Sequence, residues 1–391
     1  MVENILFVDD EADLEQLIRQ KFRKEIKSGA YNLFFAANGQ EALNILDENP
    51  QISIVVTDIN MPVMDGLELL KRIGEMNNPL YKAVVVSAYG DMENIRSAMN
   101  RGAFDFLIKP INLEDLETTI NKTLETVKVI RKGVETQQKL NDVKRDLDAA
   151  REIQKAILPQ KFPPFPEHPT FDIYGKMEAA LEVGGDFFDF FMIDNEHLGF
   201  VIGDVSGKGI SSAIFMAVTR TLIFAFGKAG NTVDECLRLA NEVLYAESVD
   251  SMFVTVFYGI MNIKTGEVSY TNAGHNYPYI VKNDGSVNLV DKDSSIILGV
   301  FKDAKFTRNT LKLEPQDILF LYTDGVNEAM DLSNNQLGDD TLYKHLYYLQ
   351  NIQEQKTPKM ITDSVFRLVK HHTQGNKQSD DITVLSIMYY G

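Results

Sequence analysis

Residues 113–159 read LEDLETTINKTLETVKVIRKGVETQQKLNDVKRDLDAAREIQKAILP, with one glycine, Gly133, and no proline before Pro159. Apolar residues at Leu113, Leu116, Ile120, Val127, Ile130 and Val134 fall on the three-and-four spacing of a coiled-coil seam. A second seam runs through Leu140, Val143, Leu147, Ala150 and Ile157. A three-residue slip near Gln137 joins the two, a discontinuity that overwinds a coiled coil locally. Charged residues flank a narrow stripe, so the pattern predicts a long helix that buries its seam against a partner helix, and hence a homodimer. The other reading is a surface helix folded back on its own domains. In either case the function lies in what the helix connects.

A chain of 391 residues is too long for one hydrophobic core and implies two or three domains. Its 44% hydrophobic and 24% charged residues are those of an ordinary globular protein. A net charge of −17 argues against a nucleic-acid-binding surface, which needs clustered Lys and Arg. The single cysteine, Cys236, permits no internal disulfide and fits a reducing compartment. No run of eighteen apolar residues occurs, and the N-terminus passes straight into a strand-like ILFVDD. Neither a signal peptide nor a membrane span is expected, and the expected location is cytoplasmic.

Residues 1–122 alternate strand-like and helical patterns, which predicts a doubly wound α/β domain with a five-stranded parallel sheet. The strand candidates are Ile5–Val8, Leu33–Ala36, Ile54–Thr57, Ala83–Val86 and Phe106–Ile108, short, apolar and β-branched. Sites in such sheets lie beyond the carboxyl ends of the strands. There the sequence places Asp9 and Asp10, then Asp58, Ser87, Lys109 and Pro110. Three converging acids repel one another unless a hard cation joins them, so Mg²⁺ is the implied occupant. A carboxylate beside Mg²⁺ and a lysine can serve as a nucleophile toward phosphorus.

The segments FVDDE, TDINMPVMDGLELL, VSAYGD and DFLIKPI, in this order, resemble the receiver domains of two-component response regulators. The resemblance implies that Asp58 is the phosphoacceptor and that Asp9, Asp10 and the Asn60 carbonyl hold Mg²⁺ with it. It implies that Ser87 bonds the phosphoryl group, that Lys109 pairs with it, and that Phe106 turns inward on activation. Pro110 would follow a cis peptide, and a sensor histidine kinase would be the partner.

Residues 123–160 are expected to be the coiled-coil linker helix, and the proline-rich KFPPFPEHP (161–169) ends it. From 161 to 391 many strand-like segments are interrupted by four helical stretches, which predicts a layered α+β domain. Acids end its strands: Asp186 and Asp189 in VGGDFFDF, Asp204 in FVIGDVSGKG, Asp324 in LYTDG, and Asp380 and Asp381 before ITVLSIMYY. Carboxylates at several strand ends are a common way to build a two-metal site, and such a site activates water for attack on a phosphate ester. GDVSGKG lacks the spacing of a nucleotide-binding phosphate loop, so its glycines are read as folding the backbone close around Asp204.

GGDFFDF, FVIGDVSGKG, FVTVFYG, TNAGH, LYTDG and SDDITVL resemble the protein phosphatase 2C superfamily, in its stage II sporulation protein E and RsbU branch. The resemblance implies a β-sandwich flanked by helices, two Mn²⁺ or Mg²⁺ ions and hydrolysis of phosphoserine or phosphothreonine in a protein. It implies metal ligation by Asp186, Asp204, the Val205 carbonyl, Asp324 and Asp380. Asp381 stands where the superfamily often has asparagine, so the choice within that pair stays open. No arginine before Asp186 matches the one with which eukaryotic members grip phosphate. His275 in NAGH reads either as a general acid or as a turn residue that buttresses the site, the second favoured by Asn272 and Gly274.

The family suggests a phosphorylated anti-sigma-factor antagonist as substrate. A rival reading is a non-catalytic adaptor whose phosphatase-like domain binds a sigma factor or protease. Loss of metal carboxylates would mark it, and here they are all present. No helix-turn-helix pattern follows the first domain, and neither nucleic acid nor a membrane is an expected partner.

Overall fold

The computed structural model describes residues 2–88, 91–247, 252–290, 294–352 and 356–391, without the side chains of 350–352. The chain divides into two compact units, Met1–Val143 and Lys144–Gly391.

In the first unit the strands are β1 (Glu3–Val8), β2 (Tyr31–Ala36), β3 (Ile52–Asp58), β4 (Lys82–Ala88) and β5 (Asp105–Lys109). They form one parallel sheet in the order β2-β1-β3-β4-β5. The helices are α1 (Ala12–Lys21), α2 (Arg23–Lys27), α3 (Gly39–Glu48), α4 (Gly66–Glu75), α5 (Met92–Asn100) and the start of α6 (Leu113–Ile157). Every residue of β3 is buried, as a central strand with helices on both faces requires. One face packs Ile5, Phe7, Ile54 and Val84 under α1 and α6; the other packs Leu6, Val55 and Leu69 under α3 and α4.

The α6 helix corrects the reading of its first seam. Leu116, Ile120, Leu124 and Val127 are buried in the core of the first unit, so this stretch folds back on its own sheet. Lys21 pairs with Glu117 at 2.6 Å and the Tyr31 hydroxyl donates to Asn121 on the same helix. An amphipathic stripe carries the same spacing whether it meets a sheet or another helix, and here the sheet takes it. The second seam differs: Leu140 is 61% and Val143 56% exposed.

In the second unit, β7 (Phe187–Met192), β8 (His197–Val205), β9 (Val254–Asn262), β10 (Glu267–Ala273) and β13 (Asn309–Lys312) form an antiparallel sheet in the order β13-β10-β9-β8-β7. A second sheet, in the order β12-β11-β14-β15-β6, contains β6 (Phe171–Glu178), β11 (Tyr279–Val281), β12 (Val287–Leu289), β14 (Ile318–Tyr322) and β15 (Ile382–Tyr389). Phe188, Phe190, Phe200, Phe257, Leu319, Leu321, Leu385 and Ile387 fill one core built from both sheets. The helices α7 (Ile210–Lys228) and α8 (Val233–Glu247) cover the outer face of the first sheet through Met216, Ile223 and Leu237. The outer face of the second is covered by α10 (Asp339–Ile352) and α11 (Pro358–Thr373), and the short α9 (Asp324–Asn327) follows β14. This is the helix-flanked sandwich the resemblance implied.

The period of two along β7 separates roles within GGDFFDF. Phe188 and Phe190 face the sandwich interior, while Phe187, Asp189 and Phe191 face the helices. Asp189 pairs there with Arg220 of α7 at 2.7 Å, a structural ion pair away from the other acids. Among the described residues, α7 is the one helix long and apolar enough to cross a membrane. Its Phe215, Met216 and Ile223 are packed in the domain core.

Candidate functional site

Parallel pairing brings the first site together. Asp9 and Asp10 follow β1, Asp58 ends β3, Ser87 lies in β4 and Lys109 ends β5, all on one edge of the sheet. Asp9, Asp10 and Asp58 each offer a carboxylate oxygen within 4.8 Å of the other two. Lys109 Nζ lies 2.7 Å from Asp58 Oδ2, 3.1 Å from Asp9 Oδ2 and 2.9 Å from Glu11 Oε1. Burial opposes the charge on Lys109, but its hydrogen bonds to Asp58, Glu11 and Asp9 outweigh it and raise its pKa. Burial likewise raises the pKa of Asp9.

Asp58 Oδ1 accepts the Ile59 amide at 2.7 Å and the Asn60 amide at 3.4 Å. Ser87 is buried, and its hydroxyl donates to Asp91 at 3.4 Å. Phe106 is 36% exposed, turned outward. The Lys109–Pro110 peptide is cis. Three clustered carboxylates with oxygen donors alone suit a hard divalent cation. Glu11, the last residue of FVDDE, was missed in the sequence; it becomes a partner of Lys109 because the chain turns sharply after β1.

The second site forms where the two sheets of the sandwich end together. Phe187 pairs with Gly203, so Asp186 and Asp204 are neighbours across β7 and β8. Tyr322 pairs with Val384, which sets Asp324 beside the Asp380–Asp381 loop. Asp186 is 1% exposed; burial first, then Asp204 and Asp381, raise its pKa. Asp204 is pushed up to about 7 by burial, then by the charge of Asp324, despite a hydrogen bond with Asp186. Burial and Asp380 also raise the pKa of Asp324. Such mutually repelling acids, one buried and two half-buried, are a donor set that suits hard cations. Among the described residues no three of them approach within 4.8 Å of one another, as the first site's acids do.

Within the Asp380–Asp381 pair the geometry separates two jobs. Asp381 is buried, and its carboxylate accepts the amides of Ala180 at 2.8 Å and Gly185 at 2.7 Å. A Cβ on Gly184 would meet Asp381 Oδ2 at 2.2 Å, and one on Gly325 would meet the Asp381 carbonyl at 1.9 Å. Asp381 therefore pins the Gly184–Gly185 turn that precedes Asp186. Asp380 Oδ2 is instead 2.9 Å from Lys208 Nζ on the more open side. The Val205 carbonyl faces Gly185, 2.8 Å from where a Cβ would stand.

Two further residues went unread in the sequence. The Thr323 hydroxyl donates to Asp186 Oδ2 at 2.7 Å and accepts the Thr383 amide at 3.0 Å. Gln154, near the end of α6, is buried and makes two bonds to Gly184, donating to its carbonyl at 2.7 Å and accepting its amide at 3.1 Å. Side-chain bonds to a distant backbone leave no mark in hydrophobic period or motif spacing.

His275 is buried, with Nδ1 3.0 Å from Thr255 Oγ1. Its amide donates to Asn272 Oδ1 at 2.8 Å, and Asn272 Nδ2 donates back to its carbonyl at 2.9 Å. Burial lowers its pKa to about 4, so the ring is neutral near pH 7 and the buttress reading has the geometry behind it. A histidine depressed from about 6.5 to that value takes up protons on unfolding. Its contribution to stability is whole above about pH 6.5 and is lost as pH falls toward 4, a loss of about 3 kcal/mol. In His275→Gln, urea unfolding between those pH values should show a flatter acid loss than in the parent chain.

The Stage II sporulation protein E (SpoIIE) family model matches residues 194–390, and that of the response regulator receiver domain matches residues 5–121. Phosphoserine phosphatase RsbU of Bacillus subtilis is 27% identical over 246 residues, covering 62% of this chain and 70% of that protein. Sporulation initiation phosphotransferase F of Bacillus subtilis is 34% identical over 125 residues, covering 32% of this chain and 95% of that protein. The SiaA-PP2C domain of Pseudomonas aeruginosa superposes with a TM-score of 0.55 at 19% identity, covering 64% of this chain and 98% of that one, a likeness of fold. The chain spans 41% of the length of another curated relative it matches. With a matched family over half its length and a receiver ahead of it, the chain belongs to the SpoIIE family and carries a response regulator receiver domain at its N-terminal end.

Proposed function

We propose that this chain is a response regulator whose output is a metal-dependent protein serine/threonine phosphatase. The observation that carries the reading is the basin of strand-end acids around Asp186, with Thr323 fixing that carboxylate and Asp381 fixing the turn before it. In this reading Asp186, Asp204, the Val205 carbonyl, Asp324 and Asp380 hold two Mn²⁺ or Mg²⁺ ions, and Asp381 supports them. When bound, such ions polarise a phosphoryl group and activate water toward it. Thr323 orients the Asp186 carboxylate. Neutral His275 holds Thr255, which in turn reaches the Asp204 carbonyl at 3.4 Å.

A sensor histidine kinase would phosphorylate Asp58, with Mg²⁺ held by Asp9, Asp10, Asp58 and the Asn60 carbonyl. Ser87, Phe106 and Lys109 would then respond to the new charge. Gln154 offers α6 a direct hold on the turn before Asp186, so a shift or rotation of α6 would reach the acids. The name of the relative RsbU supports phosphoserine as the group removed. A phosphorylated anti-sigma-factor antagonist in the cytoplasm is the substrate proposed.

The exposed half of the second seam supports a homodimer through α6. Val143→Lys with Leu147→Lys places charges on that stripe, and sedimentation equilibrium should then report a lighter species than the parent. An unchanged mass would place the dimer contact elsewhere or nowhere.

The test of function is Mn²⁺-dependent hydrolysis of a phosphoserine protein, with and without beryllofluoride as a mimic of phosphorylated Asp58. Activity that changes with beryllofluoride is the expected result. Activity indifferent to it would remove the receiver as the switch, and no hydrolysis with either metal would favour the adaptor.

A further inference from the structure

The acid basin holds many negative charges, and its substrate under the proposed function is a phosphate dianion. Ions alone would have to overcome that repulsion unless a protein cation stands at the mouth. Among the described residues, the one ion pair made by Asp186, Asp204, Asp324, Asp380 or Asp381 is that of Asp380 with Lys208. Lys208 Nζ lies 2.9 Å from Asp380 Oδ2 and also donates to the Ser379 carbonyl. Its charge reaches Asp324 as well, where it opposes the repulsion from Asp380.

The loop that carries Lys208 is held at its base and turned at its tip. Ser206 donates its amide to the Phe253 carbonyl at 2.9 Å, and its hydroxyl oxygen accepts the Phe253 amide at 3.0 Å. Gly207 and Gly209 both sit at φ 86, in the left-handed region that glycine adopts freely, and they bracket Lys208. The lysine side chain is 45% exposed and that of Asp380 39%, so the pair lies on the solvent side of the basin.

We propose that Lys208 is the substrate-phosphate anchor of this site, holding non-bridging phosphoryl oxygens while the ester is cleaved. The proposal rests on the phosphatase reading. Two of the three ammonium donors are engaged, by Asp380 and Ser379, which leaves one for an arriving anion. An exposed ion pair contributes little, so exchanging Asp380 for a phosphate dianion costs little. No proton leaves the lysine in this role.

The experiment uses the full chain as Lys208→Ala, Lys208→Met and Lys208→Arg, with circular dichroism confirming that each is folded. Three quantities are read: kcat and KM for an aryl phosphate with Mn²⁺, binding of inorganic phosphate to the Mn²⁺-loaded chain, and Mn²⁺ affinity by electron paramagnetic resonance. The anchor predicts that Ala and Met raise KM and weaken phosphate binding together, by about tenfold or more, as loss of a charge-assisted hydrogen bond does. Lys208→Arg should recover most of both, and Mn²⁺ affinity should not fall.

If KM and phosphate binding stay put while Mn²⁺ binds more tightly, Lys208 is only a counter-ion of Asp380 and the proposal is overturned. A parent chain that hydrolyses no phosphate ester sinks the phosphatase reading. Phosphate binding then still tests the lysine as an anion site: a loss in Lys208→Ala keeps Lys208 as a phosphate-binding group without the cleavage, and no loss, or no binding by the parent, overturns that as well.

Discussion

Asp324→Asn should abolish Mn²⁺-dependent phosphatase activity while raising the thermal midpoint of the metal-free chain. The two effects have one cause. Asp324 stands in a basin where burial and Asp380 both disfavour its charge, so the folded chain bears a repulsion that the amide removes. The same carboxylate is what an ion would find most useful there. Metal ions contribute several kcal/mol to a phosphoryl transition state, so weakening their hold lowers the rate by about 10³-fold or more. Turnover of a phosphoserine protein and a metal-free melt check both halves. Near-normal turnover would sink the two-metal reading, and a lower melting point with lost activity would reduce the effect to misfolding.

Asp58→Ala should leave basal hydrolysis intact and remove any response to beryllofluoride or acetyl phosphate. Asp58 is the carboxylate on which Lys109 and the Ile59 amide converge, at 2.7 Å each. Its removal deletes the proposed phosphoacceptor, yet leaves Lys109 paired with Asp9 and Glu11. The receiver should therefore stay folded and become deaf. Rates measured with and without acetyl phosphate decide it. A rate in the variant that still changes with acetyl phosphate would move the switch to another residue.

How much of this was legible in the sequence differs between the two sites. The five parallel strands were readable from short β-branched runs, and Asp9, Asp58, Ser87 and Lys109 from the ends of those runs, because side-by-side parallel pairing sends every strand's end to one edge. The acids of the phosphatase-type domain were readable as strand ends too, but not their division of labour. Asp189 read as one more acid until the alternation of β7 turned it toward Arg220. Asp380 and Asp381 were indistinguishable as neighbours. Only the close packing against Gly184 and Gly325 gives one of them to backbone amides. Lys208 sat inside a motif read for its glycines alone.

The long helix shows the same limit from the other side. Its length and its apolar spacing were determined by sequence, since proline is absent and the period is helical. What the stripe buries was not, because a period of 3.5–3.6 residues states which face is apolar and says nothing of what covers it. The tertiary structure gave Leu116, Ile120 and Val127 to the receiver core, and Gln154 to the turn before Asp186. Local propensity and motif order thus determined the two folds, their order and the acids that end their strands. Contacts between residues far apart in the chain, set by packing and hydrogen-bond geometry, decided which of those acids face one another, which are held by amides and which cation stands beside them.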